Sequence, residues 1–410
     1  MADPVPIPAV DVVSQSRVGW RFVVPYVVAM VAMWMCFNAP SQVLIGQQLI
    51  VLDEANKERN LAIVLSVGAI ISLVANPLFG MLSDRSRSRR GRRRPFLLGG
   101  AIGTCLGLAL LAVAPNVAVL LLGWSLVQGS LNCYLAAIIA IIPDRVPATQ
   151  RALVSGLAGL SQVIGTVAGV GLTNVMPTTV AKYALLGAVL GLAVLGLCLA
   201  YHDRPWTGAR PAWPTIAQFF GSLGHRDFAL AWLTRGLVTL GYSLGTTYLL
   251  FFLRDRVGLA DPAGGVFIAN LVAAGALLVT VFVGGILSDR TGRRKIFVII
   301  STVVIAAGLT LLALVPTWPG TLASAGLLGG GFGVYLAVDL ALITEVLPSV
   351  EDSGRDLGIV NIALTLPQTF APVVSALFVT RLGGYAPLFA TAALVTLVSA
   401  VLVTFIRGVR

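Results

Sequence analysis

GMLSDR at Gly80–Arg85 returns as GILSDR at Gly285–Arg290, 205 positions later, which is half of the 410-residue length. Each copy runs into a basic turn and an aromatic restart: RGRRRPF at Arg90–Phe96 and TGRRKIF at Thr291–Phe297, now 201 positions apart because the first copy holds four extra residues. At that second spacing YLAAIIAIIPDRVP (Tyr134–Pro147) overlies YLAVDLALITEVLP (Tyr335–Pro348). Markers repeating in the same order predict a duplicated chain, with a first bundle at 1–201, a linker at 202–226 and a second bundle at 227–410.

Outward from these markers the chain is apolar. Hydrophobic residues make up 57% and charged ones 11%, a balance that excludes a set of soluble domains. Twelve apolar runs, at 22–50, 60–82, 95–115, 117–142, 152–174, 182–201, 227–252, 264–287, 295–316, 320–347, 356–380 and 385–406, have the roughly 20 residues a helix needs to cross a bilayer. The expected fold class is an all-α membrane protein of twelve transmembrane helices in two pseudo-symmetric six-helix bundles. The first twenty residues contain no apolar core, so no signal peptide is expected and the N-terminus is placed in the cytoplasm. An even count returns the C-terminus to the same side. Of the 28 Lys and Arg residues, 21 then fall on that side, six on the other, and Arg235 inside a span, which is the positive-inside bias. The orientation fits a plasma (inner) membrane. It accounts for the net charge of +11 with the lipid bilayer as partner and no nucleic acid. The chain is read as a monomer.

Cys36, Cys105, Cys133 and Cys198 sit far apart inside apolar runs and read as small core residues. With only His202 and His225 besides, no metal site, cofactor or histidine-based catalysis is expected. The chain is not expected to be an enzyme.

The loop after the second span, GMLSDR and then RGRRRPF, resembles the G-x-L-x-D-R-x-x-G-R-R signature of the major facilitator superfamily, and the likeness covers all twelve spans. Its longer form is similar to plant sucrose/proton symporters and the related glycoside and cation symporters. The resemblance implies alternating access, two halves rocking about a midplane site. It also implies a latch that joins the halves on the cytoplasmic side while the site faces outward, formed by Gly80, Asp84, Arg85 and Arg93, with Gly285, Asp289, Arg290 and Arg294 in the second copy. Gly80 is expected to permit close helix contact, and Asp84 to face a helix N-terminus or an arginine. Asp144 and Glu345 end the fourth and tenth spans, Arg151 and Arg355 open the fifth and eleventh, and together they supply a ring of opposite charges. For Arg87 and Arg89, anchorage on anionic lipid headgroups is the better reading.

Two charged residues lie well within spans, Arg235 in the seventh and Asp339 in the tenth. Each is eight residues from the cytoplasmic end of its span, roughly 12 Å deep, so they can pair. If both spans line the cavity, as the resemblance implies, protonating Asp339 breaks the pair and couples a proton to substrate movement. The matching first-half position is Ile138, which makes such coupling one-sided. The alternative is that Arg235 snorkels to the interface and Asp339 is structural. Sodium coupling is disfavoured because melibiose-type relatives place acids in the second span, and Leu61–Leu82 has none.

Neutral polar residues fall on helical stripes. Trp124, Gln128 and Asn132 share one face of the fourth span. Trp34, Asn38, Ser41 and Gln42 mark the first, Phe332, Tyr335 and Asp339 the tenth, and Asn361, Thr365 and Gln368 the eleventh. Gln162 and Asn270 add an amide each and Tyr242 a ring. Amides beside flat aromatic faces suit a neutral polyhydroxylated small molecule, although any one amide can equally be glue between helices and the tryptophans can be belt aromatics. The expected function is proton-coupled symport of a sugar or glycoside, with Gln128, Asn132, Asn361 and Gln368 converging. The alternatives are proton-driven efflux of drugs or lipophilic metabolites, which expects an aromatic cavity around Tyr242, Tyr248 and Phe251, and a non-transporting membrane sensor. Gly156, Gly165, Gly169 and Gly171, with the run Gly329–Gly331, are expected at packing or bending points.

Overall fold

The computed structural model describes residues 17–89, 91–201, 203, 221–345 and 353–406. Among them, twelve helices are long and apolar enough to cross a membrane. They are α1 Trp20–Leu52, α2 Lys57–Asp84, α3 Arg94–Ala112, α4 Val117–Arg145, α5 Ala148–Asn174 and α6 Thr179–Ala200. Then come α7 Arg226–Asp255, α8 Pro262–Thr291, α9 Arg294–Leu314, α10 Trp318–Glu345, α11 Ser353–Arg381 and α12 Tyr385–Thr404. Each coincides with one apolar run of the sequence, and the chain is a multi-pass membrane protein. Helix is what such runs must form, since in hydrocarbon no water satisfies the backbone and a helix pairs its own amides and carbonyls. The end that carries the Arg85–Arg94 loop is here the basic face. At the opposite face, side-chain oxygens of Asn116, Thr178, Asp261 and Thr317 accept amide N–H groups at the starts of α4, α6, α8 and α10, at 3.0 to 3.2 Å. These caps satisfy helix donors that otherwise face apolar surroundings.

Two helices are interrupted. In α1 the segment Pro40–Leu44 is a widened five-residue turn, closed by the Ile45 N–H on the Pro40 carbonyl. Pro40 has no N–H to give, which loosens the ladder there, and the Ser41 hydroxyl donates to the Phe37 carbonyl at 2.8 Å instead. In α7 the helix halts at Tyr248 and restarts as Leu249–Asp255.

Packing repeats with a shift of six helices. The first half pairs α1 with α5 and α6, α2 with α4, and α3 with α4 and α6; the second pairs α7 with α11 and α12, α8 with α10, and α9 with α10 and α12. Small residues let these axes approach. A Cβ on Gly100 of α3 would lie 2.8 Å from the Ser130 carbonyl of α4, whereas on α10 it is Gly331 whose Cβ would lie 2.9 Å from the Ser301 carbonyl of α9. The two crossings correspond at the 201-residue spacing, with glycine on opposite partners. Each crossing needs one residue without a side chain, on either helix.

Between the halves α2 packs on α11 and α5 on α8. The polar links between them gather at the face away from the basic loop. Lys57 pairs with Asp255 at 2.8 Å, Arg254 pairs with Glu54, and the Tyr248 hydroxyl donates to the Glu58 carbonyl at 2.6 Å. Gly171 of α5 lies against the Phe267 ring of α8. Toward the basic face, by contrast, a Cβ on Gly80, Gly156 or Gly159 would meet nothing within 4 Å.

Candidate functional site

The basic face carries a knot of charge inside the first half. Asp84, at the end of α2, accepts from Arg92 at 2.9 Å and Arg93 at 2.7 Å. Arg93 also bonds Asp144, at the end of α4, at 2.7 Å and the Ser83 hydroxyl at 2.8 Å. Burial opposes the charge of Arg93, but the Asp144 and Asp84 carboxylates outweigh it and hold the guanidinium above its ordinary pKa. The loop is pinned from below by Asp203. One of its carboxylate oxygens accepts the backbone N–H groups of Arg93 and Arg94 at 2.6 and 2.7 Å, and the other accepts the Tyr201 hydroxyl at 3.1 Å. A carboxylate at the N-terminus of α3 satisfies its first donors and opposes its positive end. Gly91, at φ 105°, allows the approach, since any Cβ there would overlap the Asp203 carboxylate.

Several sequence expectations change at this face. Gly80 makes no close helix contact, because the halves part here and close at the other end. Gly156 is open for the same reason, while Gly165 and Gly169 press on Trp34, Val31 and Met35 of α1. Arg151 does not meet an acid: it donates to the Val146 and Pro143 carbonyls at 3.0 and 3.1 Å, capping the frayed end of α4. Arg85 is half-buried, Arg290 is exposed, Arg294 is half-buried, and Gly285 has only Ala337 in ordinary contact. The side chains of Asp289, Glu345, Arg355 and Asn361 lie outside the described residues.

Deep in the second half, Arg235 and Asp339 pair directly, and the Tyr335 hydroxyl donates to the other carboxylate oxygen at 2.6 Å. Both charged residues are buried, at 8% and 5% exposure, so neither reaches an interface and the snorkelling alternative is excluded. Around the pair, Arg235 Nε and the hydroxyls of Thr234 and Thr239 are buried without a partner. Tyr335 is thus turned to the acid rather than presented to a ligand. Its ring continues a ladder through Phe332, 6.0 Å away, to Tyr242, 4.4 Å further.

The first half is uncharged at this depth. Trp124 and Gln128 are buried, with Trp124 Nε1 and Gln128 Oε1 unpartnered, as is Trp34 Nε1 on α1. Phe37 links the two indoles, with ring centroids 5.8 and 6.1 Å away. Trp124 is no belt aromatic. Its indole nitrogen lies against Gly68 of α2, where a Cβ would collide with it. Asn132 is already engaged at both ends of its amide, accepting from Asn76 at 3.2 Å and donating to the Gln128 carbonyl at 2.8 Å. On α1, Asn38 donates to the Trp34 carbonyl at 3.1 Å and accepts from Gln42 at 3.3 Å, and Gln42 accepts from Asn270 of α8 at 2.8 Å. Gln42 and Asn270 therefore meet each other across the two halves.

Gln162, with Ser155 and Gly159 on α5, and Gln368, with Thr365 on α11, are exposed. Both helices also expose apolar residues on other faces, such as Ile164 and Phe370. Polar faces at membrane depth line water or protein rather than lipid, so these two stripes border the space between the halves. Tyr248 and Phe251 do not border it. They are buried in the closed end, where Lys57 lies over the Phe251 ring at 5.5 Å. Sequence reading missed Asp203, Arg92 and Asn76. Asn76 had a usable signal, one turn before Gly80 on α2; Asp203 had none, lying in the polar stretch after α6.

Two solved structures share this fold. A peptide transporter POT in complex with sulfate superposes with a TM-score of 0.73 at 14% identity over 96% of both chains. The POT family transporter PepTSo superposes at 0.74 with 12% identity, over 95% of this chain and 98% of that one. Fold and site together define a membrane transporter, not an enzyme. Residues 57–351 match the family model described as MFS/sugar transport protein, and the chain belongs to that family. It is similar to solute carrier family 45 member 3 of Mus musculus, 39% identical over 72 residues, which are 18% of this chain and only 13% of that protein. A match to proton-associated sugar transporter A of Homo sapiens, 46% identical over 55 residues, covers 13% of this chain and 7% of that one. The transcription regulatory protein OpdE of Pseudomonas aeruginosa is 26% identical over 326 residues, 74% of this chain and 75% of that protein.

Proposed function

We propose that the chain is a secondary active transporter that brings a sugar or glycoside into the cell with a proton, as a monomer in the plasma (inner) membrane with the basic face and both termini cytoplasmic. The bundles 1–201 and 227–410 rock about the chamber between them, and the described conformation is the one closed outside. The observation that carries the reading is the division of labour at mid-depth. One half presents unpartnered neutral groups, two indole N–H donors and an amide oxygen, beside aromatic faces; the other buries an ion pair whose acid can take a proton. Orphaned buried polar atoms cost free energy, and a sugar hydroxyl, which donates once and accepts twice, relieves that cost. Protonating Asp339 releases Arg235, and the changed charge shifts the balance between the outward-open and inward-open states.

The charge knot at Asp84, Arg93 and Asp144 is held within the first half in this state. Its release, and re-pairing across the halves, is the step that closes the cytoplasmic side. The similarity to proton-associated sugar transporter A supports a sugar and a proton as cargo. Purified protein in liposomes, given an inward proton gradient and a panel of labelled mono- and disaccharides, should accumulate at least one of them above equilibrium and lose that accumulation with a protonophore. Uptake that ignores the gradient removes the coupling. A complete lack of uptake would favour the sensor reading, to which the likeness to OpdE lends its one specific support.

A further inference from the structure

The second half holds a cavity that the coupling pair and the amide stripes leave unused. It encloses about 380 Å³ of empty space among Tyr242 and Leu249 of α7, Ala269 of α8, Leu312 of α9, and Ala325 and Leu328 of α10. Its polar lining groups are turned away into the helices. The hydroxyls of Thr246, Thr321 and Ser324 donate to the carbonyls of Tyr242, Thr317 and Gly308 at 3.0, 2.9 and 2.8 Å. What remains is aliphatic and aromatic surface, and cavities of that kind stay dry and accept apolar rings. Asn270 also lines it, and Asn270 bonds Gln42 of α1, so the cavity adjoins the first-half amide stripe. Its other wall, Tyr242, is the first ring of the stacked ladder through Phe332 to Tyr335, the phenol that bonds Asp339.

An apolar cavity beside a row of sugar-compatible amides fits a ligand with one polar and one apolar end joined covalently. We propose that this cavity receives the aglycone of a glycoside: the sugar lies on the first-half amides and indoles, and a flat aryl group enters between α7, α8 and α10. Offset stacking against Tyr242 favours an aryl ring over an alkyl chain of similar volume. The proposal rests on the reading of the protein as a glycoside carrier and narrows it to aryl glycosides.

The test uses the full chain, purified in detergent, and reads binding of paired methyl and phenyl glycosides of glucose and galactose by thermal stabilisation and by competition. For whichever sugar binds, the phenyl glycoside should bind about tenfold or more tightly than the methyl one, as expected for burying a ring. Ala325→Leu, which fills the cavity, should erase that preference and leave the methyl glycoside unchanged. Should Ala325→Leu fail to fold, Leu328→Ala serves from the other direction, enlarging the cavity and shifting the preference toward a naphthyl glycoside. Methyl and phenyl glycosides binding equally, or a phenyl preference that survives Ala325→Leu, overturns the aglycone site while leaving sugar transport intact. No binding by any glycoside overturns the carrier reading along with it.

Discussion

The two halves are built on one plan and have parted company at one depth. Tyr134 and Tyr335 correspond at the 201-residue spacing, and both are buried. In the first half the Tyr134 hydroxyl reaches the Ala29 carbonyl at 3.5 Å, a contact between packed helices. In the second the same position holds Asp339 at 2.6 Å, and where that acid stands the first half has Ile138, fully buried. A phenol that glues two helices in one copy steadies an ionisable group in the other. Duplication thus leaves the packing alone and changes the chemistry on a single face, which lets one half specialise in ligand and the other in charge.

The largest effect should come from attacking the charged half where it has no counterpart. Asp339→Ala strands a buried guanidinium and should cost about 3–5 kcal/mol in detergent unfolding experiments, with much of the loss recovered in the double variant Arg235→Ala/Asp339→Ala. Asp339→Asn, which keeps the shape, should abolish accumulation driven by a pH gradient while exchange of labelled for unlabelled substrate continues. Accumulation unchanged in Asp339→Asn would erase the functional side of the contrast.

A second measurement compares how the halves tether the helix after their basic turn. Asp203 serves two amides and a phenol at the start of α3, whereas its counterpart anchor, Lys295 of α9, donates to the Ile406 carbonyl at the end of α12. Asp203→Ala should lower stability by about 2 kcal/mol and Lys295→Ala by less than about 1 kcal/mol, by the usual worth of caps and single bonds. Equal losses would mean that the halves are held alike.

On the neutral side, Gln128→Ala should weaken binding of the accepted sugar about tenfold, close to 1.4 kcal/mol, and leave the response to the proton gradient intact. A shift in that response instead would place ligand and proton in the same half. The smallest change is expected at the closed face. Lys57→Ala removes one partly exposed ion pair, worth less than about 1 kcal/mol. It should raise the labelling rate of a cysteine introduced at Asn60 only modestly, through easier opening.

Much of this was legible in the chain itself, for a physical reason: a continuous apolar run of spanning length has only one stable form in a bilayer. The Arg235–Asp339 pair was legible too, because two isolated charges at matching depth have few other partners. What stayed hidden depends on the state of the molecule. Gly80 stands in open space only because this conformation closes at the far end, and Gln42 and Asn270 satisfy each other only while the halves are locked there. Asn132 was read as a ligand contact from its stripe, but a stripe gives the face and not the partner, and Asn76 had already taken it.

The widened turn at Pro40–Leu44 has a consequence for tolerance to change in α1. It lies between Trp34 and Asn38 on one side and Gln47 and Gln48 on the other, where these two amides bond Lys182 and Tyr183 of α6 at 3.0 and 2.7 Å. A helix that regained the usual register there, by loss of one residue, would spin everything beyond it by roughly 100° and swing both amides off α6. Side-chain substitutions along this stretch should be forgiven far more readily than a single deletion, because what the turn sets is phase rather than chemistry.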